Sequence, residues 1–117
     1  MQKILVFTDL HIVPKCETII GLDPLARFAQ GMAHALERHP DAARVVLCGD
    51  LTHNAAPPEY ARLRRALDTC PLPVSLMLGN HDRRAPFLAA FPEAARMETG
   101  HIQHWHDLPG YRLICLD

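Results

Sequence analysis

Residues 45–54 read VVLCGDLTHN. An apolar run stops at Gly49-Asp50 and hands over to His53 and Asn54. A strand that ends in an acid, an imidazole and an amide puts metal-compatible donors just beyond the sheet. Two further stretches repeat the arrangement: KILVFTDLH from Lys3 to His11 and PVSLMLGNHD from Pro73 to Asp82. All three runs are continuously apolar rather than alternating, which suits parallel strands covered on both faces.

Helical patterns separate the three strands. Asp23-Pro24 forms an N-cap and first-turn pair, and Leu25, Phe28, Met32 and Leu36 follow at helical spacing. Pro57-Pro58-Glu59 opens a second helix with Tyr60, Leu63 and Leu67 as its inward stripe; Arg62, Arg64 and Arg65 are expected to face water. A short helix is expected after Arg84, through Phe87, Leu88 and Phe91. The order β-α-β-α-β implies a layered α/β sheet with a parallel core. The stretch His101–Asp117 holds two strand-like runs around Asp107-Leu108-Pro109-Gly110, a turn signal, and reads as a C-terminal antiparallel hairpin added to the sheet.

A chain of 117 residues suits one domain. Apolar residues make up 49% and the net charge is −1, which gives no electrostatic case for a nucleic-acid polymer or an anionic membrane. Ile4–Phe7 is too short for a leader or a span. The four cysteines are scattered, with no Cys-x-x-Cys pair; Cys48 and Cys115 read as small core residues, and a reduced, cytoplasmic setting is expected.

In open α/β sheets, ligands bind beyond the carboxyl ends of the strands. Asp9 with His11, Asp50 with His53 and Asn54, and Asn80 with His81 and Asp82 all fall there. Two residues apart on an extended segment, Asp9 and His11 point to the same side. Gly49 and Gly79 let the chain turn sharply before the acid and the amide. Oxygen donors mixed with imidazole suit Mn, Fe or Zn, and no serine or cysteine nucleophile with a local base competes with a metal-activated water.

The motifs DLH (Asp9–His11), GDLTHN (Gly49–Asn54) and GNHD (Gly79–Asp82) resemble the first three motifs of the calcineurin-like metallophosphoesterases. APPEYARLRRAL and LPVSLMLGNHDRRAPFLAAF are similar to the branch holding glycerophosphodiesterases and class III cyclic-nucleotide phosphodiesterases. The resemblance implies two metal ions. Asp9 and His11 would bind the first, Asp50 would bridge both and Asn80 would bind the second. His81 would contact the phosphate and protonate the leaving alkoxide, oriented by Asp82. A metal-bridging hydroxide would attack phosphorus, and the partner would be a small-molecule phosphodiester.

That family completes its site with further histidines downstream of the third motif, including a Gly-His-x-His segment. Residues 1–117 are therefore expected to form the N-terminal part of one metallophosphoesterase domain, holding one metal well. The rival expectation is an inactive or incomplete metal-binding fragment that needs a C-terminal half or a partner chain; a homo-oligomer is one such arrangement. His104 and His106 are tempting substitutes, but alternation places them on one strand face, expected to meet solvent. His53 is open between a turn role and support of a metal or substrate oxygen, Arg83 and Arg84 can steer a phosphate, His34 and His39 read as surface residues, and Trp105 is expected to pack on the sheet.

Overall fold

The computed structural model describes residues 2–117. Strands β1 (Lys3–Phe7), β2 (Ala42–Cys48) and β3 (Val74–Met77) form a parallel sheet in the order β1-β2-β3. Helix α1 (Pro24–Arg38) links the first pair of strands and α2 (Pro57–Leu67) the second. Helix α3 (Arg84–Ala90) leads to β4 (His104–Leu108) and β5 (Tyr111–Cys115), an antiparallel hairpin. The layered parallel core and the hairpin match the architecture expected from the pattern of apolar runs.

Side chains alternate across a strand, and the alternation sorts this sheet into two unlike faces. Leu5, Val45 and Leu47 join Phe28 and Met32 of α1 and Tyr60 and Leu63 of α2 in one buried cluster. Phe7 meets Phe28 edge to face, with ring centroids 5.4 Å apart. On the other face Val6 is 61% exposed, so the sheet is not covered on both sides by helices as its apolar runs suggest. Both helices pack on the Leu5 side, and β5 rather than a helix lies against the opposite side of β3. Cys115 is buried there and Cys48, at the end of β2, is exposed, so only one of these two cysteines is a core residue.

The hairpin also differs from expectation in its pairing. It forms a separate two-stranded sheet and does not extend the parallel one. Phe91 and Ile102 are both buried beside it. Between β3 and β4 they line a cavity of about 260 Å³ together with Val74, Leu76, His104 and His106. Trp105 is 56% exposed and lies under Arg112 instead of packing on the sheet.

Arg62 is the other departure. Its guanidinium does not face water but pairs with Asp23 at 3.0 Å, while Asp23 caps α1 by accepting from the Leu25 N–H. A single carboxylate thus starts one helix and anchors the next. Arg64 lies over the Phe91 ring and pairs with Glu93, tying α2 to the segment after α3. His34 is exposed as expected, and His39 follows α1 as its C-cap.

Candidate metal centre

All three polar clusters converge at the carboxyl ends of β1, β2 and β3. The loop after β1 is stitched to the loop after β2 by backbone bonds: Asp9 N–H donates to the Gly49 carbonyl, His11 N–H to Asp50 and Ile12 N–H to Leu51. His53 N–H returns to the Ile12 carbonyl. The sheet therefore ends in a second layer of pairing that fixes where the side chains emerge.

The backbone at this edge is not extended. Asp9, His11 and Asp50 take φ values of 56°, 46° and 46°, in the left-handed region that costs a non-glycine residue energy. The extended-segment argument for Asp9 and His11 is thus corrected, although the two side chains do reach one place. His11 Nε2 lies 3.9 Å from Asp9 Oδ1 and 3.8 Å from Asp50 Oδ2. Three left-handed residues persist only because the stitched loops over-determine them.

Two glycines make the approach of the loops possible. Gly49 has φ +87°, and a Cβ there would meet the Gly79 nitrogen at 2.8 Å. A Cβ on Gly79 would fall 2.2 Å from Asp50 Oδ1 and 2.4 Å from the Asp50 nitrogen. Gly79 is required for close approach, not for a turn of its own. The absent side chain lets Asp50 Oδ1 accept the His81 N–H at 2.9 Å.

Asp82 has a different partner set from the one expected. Its carboxylate accepts from the N–H groups of Leu51, Thr52 and Gly79, from the Thr52 hydroxyl and from the Tyr60 hydroxyl, at 2.9–3.1 Å. None of these is the His81 ring. His81 Nδ1 lies instead 2.8 Å from the His53 carbonyl oxygen, so a backbone group of the second motif orients the imidazole. Asp82 is the clasp that holds the second and third motifs together. Tyr60, fully buried, gives its hydroxyl proton to Asp82 and accepts the Arg83 N–H. Burial pushes its phenol up to about 12, with Asp82 adding to the rise.

Sequence reasoning missed Glu59, the one charged residue buried in the core among the described residues. It is fully buried and accepts from the Asn54 N–H, the Asn54 amide and the Ala56 N–H, each at 3.0 Å. Asn54 therefore ties its loop to Glu59 through its N–H and its amide NH2. An acid one turn into a helix that follows a polar loop was the available signal.

The remaining candidates separate clearly. Asn80 is exposed at the end of β3 and has no side-chain hydrogen bond among the described residues. Arg84 is held by Asp117 through two bonds of 2.7 and 3.1 Å, which removes it from phosphate steering, while Arg83 is exposed. The Arg84 guanidinium beside Asp117 holds that carboxyl below its ordinary value. His104 and His106 face each other at 5.2 Å and are half-buried in the cavity beside β3, not at the strand ends and not fully in solvent. Desolvation lowers both imidazoles below their usual value.

His53 emerges from the ambiguous group. Its ring stacks on His81 with centroids 5.3 Å apart and meets His11 at 5.5 Å. Asp9, His11 and Asp50 form one set whose donor atoms lie within 4.8 Å of one another, and His11, His53 and His81 form another. Among the described residues, His11 Nδ1 and His53 Nδ1 are buried with no hydrogen-bond partner, a costly state for a polar nitrogen that a ligand can relieve. Mixed carboxylate and imidazole donors fit a first-row divalent ion. A cavity of about 420 Å³ opens beside them, walled by Ile19, Ile20, Leu22 and Arg27.

Comparison with known proteins agrees with this geometry. Residues 2–114 match the calcineurin-like phosphoesterase family. A Rhodopseudomonas palustris protein described as a probable cyclic nucleotide phosphodiesterase is 36% identical over 116 residues, covering 99% of this chain and 42% of its own length. Similarly described proteins of Fibrobacter succinogenes and a Synechococcus species are each 27% identical, over 98% and 94% of this chain and 44% and 41% of theirs. The chain thus spans about two fifths of the length of these relatives.

Proposed function

The chain belongs to the calcineurin-like phosphoesterase family, and from that premise we propose that its strand-end site serves phosphodiester hydrolysis. The substrate class is a cyclic nucleotide or a glycerophosphodiester, and the names given to the relatives favour the former. The observation that carries the reading is the convergence of Asp9, His11 and Asp50, with the His81 ring 4.7 Å from that of His11.

Asp9, His11, Asp50 and Asn80 are the residues that would hold Mn, Fe or Zn ions. Bound there, such ions supply an acidified water and neutralise charge on the phosphoryl oxygens. Asp50 would serve both ions, a reading supported by its Oδ2 facing His11 and its Oδ1 facing the His81 N–H of the third motif. With its Nδ1 on the His53 carbonyl, His81 keeps Nε2 for a proton passed to the leaving alkoxide. Asp82 positions both loops, and the exposed Arg83 is available to a phosphate at the rim.

The ligand count favours a second reading. One position has Asp9, His11 and Asp50, whereas the other has only Asp50 and the neutral Asn80. A segment of one domain that holds a single ion, and needs further polypeptide for turnover, fits that asymmetry. Calorimetric titration with Mn, together with hydrolysis of bis(p-nitrophenyl) phosphate and cyclic AMP, tests both. Asp50→Ala should abolish Mn binding that Asp9→Ala only weakens. Chelator-sensitive hydrolysis supports the enzyme reading, one bound ion without turnover supports the second, and Mn retained by Asp50→Ala sinks the assignment of the centre.

A further inference from the structure

His53 is not needed by the carboxylate-rich set, yet its ring is held there firmly. Its N–H is bonded to the Ile12 carbonyl, and its carbonyl carries His81 Nδ1. Thr52, the residue before it, is clasped by Asp82 through both its N–H and its hydroxyl. The ring is thus mounted on fixed backbone, with Nδ1 buried and without a hydrogen-bond partner among the described residues. The rings of His11, His53 and His81 lie 4.7–5.5 Å apart, and their donor atoms fall within 4.8 Å of one another.

We propose that His11, His53 and His81 form a second, all-imidazole metal site, an alternative to the Asp9–His11–Asp50 set. The two sets share His11, so filling one draws that ring away from the other. Their donors differ in kind. Carboxylate-rich sites suit Mn and Mg, whereas imidazoles suit Ni, Cu and Zn, which also stand higher in intrinsic affinity. A hard ion settles on Asp9 and Asp50 and leaves His81 free to carry a proton. A nitrogen-preferring ion settles on the three imidazoles and takes His81 out of that role. His53 is the residue that creates the choice.

The test is calorimetric titration of the tag-free chain with Ni and, separately, with Mn. His53→Ala should weaken Ni binding by on the order of 10–100-fold or more, the loss typical when a metal ligand's support is removed, and leave Mn binding unchanged. Asp50→Ala should do the reverse. Equal loss of both metals in His53→Ala, or unchanged Ni binding, overturns the proposal. The parent chain provides a measurement that needs no variant to fold. Ni should broaden the imidazole NMR signals of His11, His53 and His81 together, and leave those of His34, His39 and His101 sharp. Broadening confined to the latter group, or sparing His53, overturns the proposal as well.

Discussion

At the scale of single residues, the centre depends on atoms that do no chemistry. Gly79 is one. A methyl group there must displace Asp50, since it would lie 2.4 Å from the Asp50 nitrogen. Gly79→Ala should therefore destabilise the chain by about 1–3 kcal/mol, as overpacking does, and weaken metal binding as well. Thermal unfolding and calorimetry read the two effects; an unchanged metal affinity would mean Asp50 is free to shift without consequence. Tyr60 is another. Its hydroxyl bonds Asp82 and the Arg83 N–H in the core, so Tyr60→Phe should cost about 1–3 kcal/mol at neutral pH. The phenol, raised from 10 to about 12 on folding, binds its proton more tightly in the native state. Its contribution is whole below pH 10 and is lost as pH rises through about 12. Urea midpoints should thus fall less steeply over that window in Tyr60→Phe than in the parent, and parallel curves would show that Tyr60 does not govern the alkaline limb.

Between elements, polar side chains add contacts to the shared apolar core. Asp23 begins α1 and binds Arg62 of α2, so two helices share one carboxylate. Asp23→Ala loses a cap and an ion pair, whereas Arg62→Ala loses only the pair and its packing. The pair is partly exposed on the Asp23 side, at 38%, which limits its worth to about 1 kcal/mol. The cap adds about 1 kcal/mol more. Asp23→Ala should accordingly be the more damaging change, and a double-mutant cycle should give a coupling near the value of the pair alone. Additive losses would show that the helices are placed by their apolar stripes and not by this contact. For the hairpin, the turn at Pro109-Gly110 was plain in the sequence, whereas its standing apart from the parallel sheet was not.

For the whole molecule, the loops that carry the centre are also those that join the three strands. A cation bound to the native centre alone therefore stabilises the entire fold. At a free concentration 100 times its dissociation constant, an ion should add about 2.7 kcal/mol, a shift of several degrees in the melting temperature. Mn in differential scanning calorimetry is the check. No shift in the parent chain, or an equal shift in Asp50→Ala, would place the bound ion elsewhere. The strands, the helices and the clustering of polar residues at the strand ends were legible because each apolar run ends where polar donors begin, a pattern written locally. The resemblance of DLH, GDLTHN and GNHD to a phosphoesterase family was legible for the same reason, since each motif occupies one loop. What the tertiary structure alone decided is how those loops touch. The left-handed backbone of Asp9, His11 and Asp50, the pairing of His81 with the His53 carbonyl and not with Asp82, and the stacking of the His53 and His81 rings all arise from contacts between segments far apart in the chain. A pattern along one segment states which donors are available, but their partners are chosen by the packing of other segments against it.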